Sequence, residues 1–407
     1  MSKIIVNVGG PDAALDAAWD DLVRRAPENV FMNPVALRAA ASLRFADVVV
    51  LTAWNADDGR LLGLWGLRKW RRMPLAPALL AAPPYEYAFA SMPVIDAGHL
   101  DAVIGAFLDA IERERKLPSV LRLKYLDAES AACVALRQAL ALRGNRLFML
   151  GEGERPYASR GAGRKESGST RKKLRQDWNR LSALGTVDIV NDRDPDAVKA
   201  AFEIFLAMEA ASWKGDAGTA LLCDAADAAF ARRLVADLVA RGDASVALLR
   251  LDGRPIAAQV LLYCGSMAYT WKTAFEAEFK KYSPGVLLID RLTEQLFATP
   301  AIAAIESCSP EGGFMSQLWS GHRPTLSLLI DVGRRSSPAF LLAVAGEQAY
   351  VRLRGWRNRL RSGLQRRQAG SKPASSPASG ESATEAERPV GISGSRAALA
   401  PRNDKKA

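Results

Sequence analysis

Two stretches of this sequence, 194 residues apart, spell the same local structure, and that repetition limits the folds open to the chain. Val48 to Leu67 (VVVLTAWNADDGRLLGLWGL) reads as strand, Asp-Gly turn, strand. Ala244 to Tyr263 (ASVALLRLDGRPIAAQVLLY) reads the same way. In each, a glycine preceded by Asp and followed by Arg stands between apolar runs, the signal of a tight β-hairpin. With Gly59 and Gly253 as markers, the spacing suits a duplicated unit.

Helices with readable ends lie around the hairpins. Asp194-Pro195 supplies an N-cap and a first-turn proline ahead of Val198, Phe202 and Phe205. Asp224 caps a helix carrying Phe230, Leu234 and Leu238, with Gly242 to stop it. Leu100 to Arg115 and Asp127 to Arg143 read as helices in the first half, the latter ending at Gly144. The class is therefore mixed α/β, with sheets partly antiparallel rather than doubly wound.

Charge helps divide the chain. The net charge of +11 is concentrated in two segments: Arg160 to Arg180 holds 8 basic and 2 acidic residues, and Gly346 to Ala407 holds 13 and 5. The rest is nearly neutral, which disfavours a basic groove built into the folded body. A boundary is expected at Gly151 to Ser169, where Gly, Ser and charged residues replace the alternating pattern. The divisions are residues 1–155, 165–345 and 346–407. In the last, Tyr350 to Gln368 reads as a basic helix with Val351, Leu353, Trp356, Leu360 and Leu364 as apolar positions. It either covers the preceding domain or meets a membrane surface or anionic partner. Ser371 to Ser395 has almost no large apolar residue, so a disordered tail is expected.

The cysteines and histidines exclude several chemistries. Four dispersed cysteines and two histidines make neither a disulfide framework nor a zinc site, so no metal is expected. No apolar run reaches the roughly 20 residues that span a bilayer, and MSKIIVNVGG lacks a signal-peptide layout, so the expected location is cytoplasmic. Three segments carry chemical character. Met267 to Thr273 reads as a strand that leads to Tyr282-Ser283-Pro284-Gly285, the start of an apolar helix. Ser283 is placed as its N-cap. Such a start offers unpaired N–H groups to a phosphate, or is simply a well-capped helix. Trp213 and Lys214 lie where a helix gives way to a glycine-bearing loop, as a ligand platform with an anion contact or as a loop anchor. Thr170 to Leu184 is a basic helix with Leu174, Trp178 and Leu181 facing inward.

The order of these pieces resembles a known family. RKKLRQDWNRLSALG (Arg171 to Gly185), SWKGDAGT, LRLDGRPIAAQVLLY, FKKYSPGVLLID and IESCSPEGGFMSQLWSGHR follow one another. The run is similar to bacterial GNAT-superfamily acetyltransferases of the type linked to cellulose and other polysaccharide biosynthesis, distant relatives of Fem-type peptidyltransferases. The resemblance covers Arg171 to Asp331 and extends more loosely to NVFMNPVALRAA and YEYAFASMPVID in the first half. It implies tandem GNAT-like acyl-CoA N-acyltransferase folds, mixed and largely antiparallel sheets flanked by helices. It also implies a strand that splays from its neighbour to admit acetyl-CoA or another acyl-CoA as co-substrate, with no resident cofactor. Tyr282, Ser283, Pro284 and Gly285, with Lys272 on the preceding strand, fall to the donor, although one glycine remains of the usual phosphate loop. Trp213 and Lys214 fall to an amine or sugar-linked acceptor, a small molecule or a glycan. Glu209, Glu276 and Asp290 are the candidate bases. A Fem-like aminoacyl transfer from charged tRNA and a non-catalytic accessory role in polysaccharide synthesis are the alternatives.

Overall fold

The computed structural model describes residues 3–165, 167–333 and 337–369. The first half runs β1 (Ile4–Gly9), α1 (Leu15–Val23), α2 (Pro34–Ser42), β2 (Val48–Asn55), β3 (Leu61–Trp70), β4 (Leu79–Ala82), β5 (Val94–Ile95), α3 (Leu100–Arg113), β6 (Val120–Asp127), α4 (Ala131–Arg143) and β7 (Arg146–Ser159). After α5 (Ser169–Ser182) the second half repeats the order: β8 (Val187–Asn191), α6 (Pro195–Ala210), α7 (Trp213–Asp216), α8 (Ala225–Val239), β9 (Ala244–Leu251), β10 (Arg254–Cys264), β11 (Met267–Phe275), α9 (Pro284–Ala298), β12 (Ala304–Glu306), α10 (Met315–Leu318) and β13 (Gly321–Asp331). A final helix, α11, spans Pro338–Ala369.

The local signals act as expected. Asp252 and Gly253 both take positive φ (50° and 79°), the left-handed pair that a two-residue hairpin turn needs. Asp194 and Asp224 each accept two backbone N–H bonds at the starts of α6 and α8. Gly144 closes α4 in the left-handed region.

All strands join one sheet in the order β1-β2-β3-β4-β6-β13-β7-β12-β11-β10-β9-β8, with β5 added beside β3. Read from either end, the two halves present the same succession of strands, and the last strand of each half is exchanged. β13 pairs with β6 of the first half, and β7 pairs with β12 of the second. The two exchanged strands also pair with each other, from Gly321↔Tyr157 to Asp331↔Arg146. Within the expected boundary, Gly151 to Ser159 is strand. Its Gly and Glu residues are exposed, so its sequence lacks the apolar alternation of a half-buried strand.

Two apolar layers sandwich the sheet of the second half. α6 and α8 pack on one face, in a core continuous with the first half, and α9 packs on the other. The first turns of α11 lie against Leu79, Val120 and Leu329, whereas Trp356 is 63% exposed and so does not cover the preceding domain, the first of the two alternatives for this helix. The side chains of Leu360 and Leu364, and the tail from Gly370, lie outside the described residues. Among the described residues no helix is long and apolar enough to cross a membrane, and no cluster of His, Cys, Asp and Glu could hold a metal.

Candidate active site

β11 and β12 run parallel and pair over only three positions, Met267↔Ala304 to Tyr269↔Glu306. β11 then continues to Phe275 without a strand partner on that side among the described residues. The Thr270 hydroxyl closes the vertex by donating to the Glu306 and Ser307 carbonyls, at 3.2 and 2.9 Å. Beyond it β12 ends while β11 runs on to Phe275.

A bulge aims the side chains at this opening. Lys272 pairs with Val260 and Thr270 with Leu261, which leaves Trp271 as the extra residue of β11. An extra residue breaks the alternation of faces, so Trp271 and Lys272 both face the α6 side. The Trp271 indole donates to the Tyr87 carbonyl (2.8 Å). The Lys272 ammonium lies 4.5 Å from the centre of the Tyr87 ring. Tyr87 comes from the first half, sits at φ 53°, and donates its phenol to Asp227 at 2.6 Å. Both halves thus build the opening.

Glu209, in the last turn of α6, is the centre of charge. Its side chain has no exposed surface, and it accepts from Lys214 Nζ (3.0 Å) and from the Leu221 N–H (3.0 Å). Lys272 Nζ stands 3.6 Å away. Burial alone would raise the Glu209 carboxyl, but Lys272, Lys214 and the Leu221 N–H outweigh it and hold it below the usual carboxylate range. Burial dominates at Lys272 and pushes its ammonium down to about 8 against the attraction of Glu209. Near neutral pH, Lys272 can therefore exist in both protonation forms while Glu209 stays ionised.

Lys214 joins the α7 segment to β11 by donating also to the Thr273 carbonyl (3.0 Å). Ser212 caps this short helix by accepting from the Lys214 N–H. Gly215 is required by packing, since a Cβ there would stand 1.8 Å from the Ala210 carbonyl oxygen. We expect Gly215→Ala to displace α7, detach Lys214 and cost about 1–3 kcal/mol in a denaturant melt. An unchanged melt would contradict this packing.

On the opposite face, α9 starts beneath the end of β11. Pro284 occupies its first turn as expected. Ser283 occupies the cap position, but at φ 53° its side chain makes no capping bond, which corrects the expected N-cap role. Gly285 brings the helix start against the strand: a Cβ there would lie 3.4 Å from Phe275 and 3.5 Å from Thr273. Tyr282 is buried, with Lys281 at 5.0 Å and Arg180 of α5 at 5.3 Å from its ring centre. Lys280 and Lys281 are exposed and precede the helix start in the chain.

The structure thus brings Glu209, Lys214 and Lys272 together and sets Tyr282 to Gly285 across the sheet from them. Trp213 is 51% exposed beside Lys214. Glu276 follows β11 and is partly buried. Asp290 lies on the α9 face, tied to Arg171 and to Arg164 (3.4 Å), apart from the lysine cluster. Tyr87 and the bulge were not found from sequence. An aromatic residue in YEYAFASMPVID offered a signal for Tyr87, but its partner strand lies in the other half.

Residues 168–306 match the acetyltransferase (GNAT) domain family. The match spans Glu209, Lys214, β11 and the start of α9. Among solved structures, FemX aligns with a TM-score of 0.56 at 13% identity, over 77% of this chain and 95% of FemX. L-PGS from Bacillus licheniformis aligns at 0.51 and 13%, over 82% and 96%. A conserved protein of unknown function from Bacteroides thetaiotaomicron VPI-5482 gives 0.51 and 13%, over 80% and 99%. At these identities the likeness is one of fold. No curated protein matches the sequence.

Proposed function

We propose that this protein is an acyltransferase that moves an acetyl or other acyl group from CoA to an amine or sugar-linked acceptor at the β11–β12 opening. The observation that carries the reading is the three-residue parallel pairing, which leaves β11 free at the point where the bulge turns Lys272 inward. In this reading the catalytic half is residues 165–345, and residues 1–155 lend it Tyr87.

The donor's pyrophosphate sits at the start of α9, where the positive end of the helix, the Gly285 N–H, Lys280 and Lys281 meet it. Its thioester reaches through the opening toward Lys272. The acceptor enters from the α7 side, past Trp213. Neutral Lys272 takes a proton from an ammonium acceptor. The freed amine attacks the thioester carbon, the carbon–sulfur bond breaks, and of the two protons the nitrogen loses, the second passes to the departing thiolate while the first leaves Lys272 for solvent. Glu209 positions both lysines, and the Tyr87 and Trp271 rings exclude water. Alignment and one matched proton acceptor are the main demands of direct acyl transfer.

Calorimetric titration with acetyl-CoA tests the donor. Reversing one exposed charge beside the phosphates, Lys281→Glu, should weaken binding roughly tenfold, about 1.4 kcal/mol, without changing the melt. Equal affinity would move the phosphate seat elsewhere. Exposed Lys172, Lys173 and Arg175 on α5 favour a second reading, a charged tRNA as donor. Wild-type protein that ignores acyl-CoA yet releases the amino acid from charged tRNA would select it. A protein that binds neither would be an accessory protein on a transferase fold.

A further inference from the structure

The last helix turns the usual amphipathic arrangement around. At 100° per residue, Phe340, Ala343, Val344 and Glu347 share one face of α11. That face is seated on the protein: Phe340 is buried, Ala343 and Val344 pack beside it, and Glu347 pairs with Arg72 and with Arg122 (2.9 Å). Leu342, Ala349, Leu353 and Trp356 recur at intervals of seven, four and three residues, which puts them on the roughly opposite face. The three large side chains of that stripe are 62–63% exposed. A surface helix ordinarily points charge outward; here the outward stripe is apolar.

Arginines flank the stripe. Arg352 and Arg359 lie along one side and Arg357 along the other, all exposed. From Gln348 to Ala369 the sequence holds seven arginines and no Asp or Glu. We propose that this face of α11 docks the protein on an anionic lipid bilayer, with Leu353 and Trp356 entering the interface and the arginines meeting lipid phosphates. A polyanion such as RNA would satisfy the arginines but would leave the leucine and tryptophan stripe in water. A bilayer interface takes both, and tryptophan is favoured at that depth. The surface is separate from the β11–β12 opening, so docking does not depend on the transferase reading.

Co-sedimentation of the full chain with vesicles tests this. The protein should bind phosphatidylcholine vesicles containing phosphatidylglycerol at least about tenfold more tightly than pure phosphatidylcholine, and added salt should weaken that binding. Leu353→Glu with Trp356→Glu should lose the binding, and Arg352→Gln with Arg357→Gln should reduce it. Both variants should melt like wild type, because every replaced side chain is exposed. Equal binding to neutral vesicles would overturn the proposal. So would full binding by the Leu353→Glu, Trp356→Glu variant, or tRNA binding that outcompetes vesicles and ignores the apolar changes.

Discussion

Replacing Glu209 with glutamine should destabilise the protein by about 3 kcal/mol and abolish transfer, a large effect for an isosteric change. The carboxylate is fully buried and is the near counter-charge of both Lys214 and Lys272. Without it, Lys214 and Lys272 lose their counter-charge in a desolvated site, where each must stay charged unpaired or give up its proton, and removing one partner of a buried ion pair typically costs about 3–5 kcal/mol. The low end applies because Lys214 is 25% exposed and can turn toward water. Glutamine also replaces one acceptor oxygen with an NH₂ that cannot accept, so it cannot serve both the Leu221 N–H and Lys214. A double-mutant cycle distinguishes charge from shape. Lys272→Met removes one of the stranded cations, so adding it to Glu209→Gln should recover about 1–2 kcal/mol in denaturant melts. Additive losses in the double variant would mean that Glu209 acts through packing alone.

That cluster shows which parts of the molecule were legible in the sequence. Turns and caps are local: Asp252-Gly253, Asp194, Asp224 and Gly144 each act within a few residues, so composition reveals them. Glu209, Lys214 and Lys272 could each be nominated, one by position, one by its loop and one by family likeness. Their meeting could not be read, because it depends on the register of β10 against β11 and on the extra residue at Trp271. Tyr87 is still less accessible, since it crosses from the other half of the chain. The exchange of β7 and β13 is a long-range pairing of the same kind. The end of β7 read as a boundary because partnership with β13, rather than an apolar face, holds it in the sheet. The expected capping bond of Ser283 rested on local pattern and was overridden by a left-handed backbone; for Trp356 the domain-covering alternative fails because the helix is seated by its other face.

Lys272 gives the test that bears most directly on chemistry. If its neutral form accepts the acceptor's proton, kcat/KM should rise about tenfold per pH unit and level off above pH 8, the value to which burial pushes it. Lys272→Met should lower the rate by about 10²–10⁴-fold and flatten that profile. Lys272→Arg is the sharper variant, because guanidinium preserves the cation beside Glu209 but does not deprotonate. It should keep the fold and lose the activity. Stability supplies an independent reading. The folded protein binds this proton less tightly than the unfolded chain, whose lysine keeps its ordinary value of 10.5. Below pH 8 the charged lysine is a full cost to the fold; between pH 8 and 10.5 the folded state sheds the proton first, and stability rises with pH. The displacement corresponds to at most roughly 3 kcal/mol. Wild type should therefore gain on Lys272→Met across that window, while Lys124, which burial also lowers to about 8, is common to both proteins and cancels. An arginine variant with wild-type rates, or a stability difference independent of pH, would remove Lys272 from proton transfer and leave it a positioning residue for an anionic group.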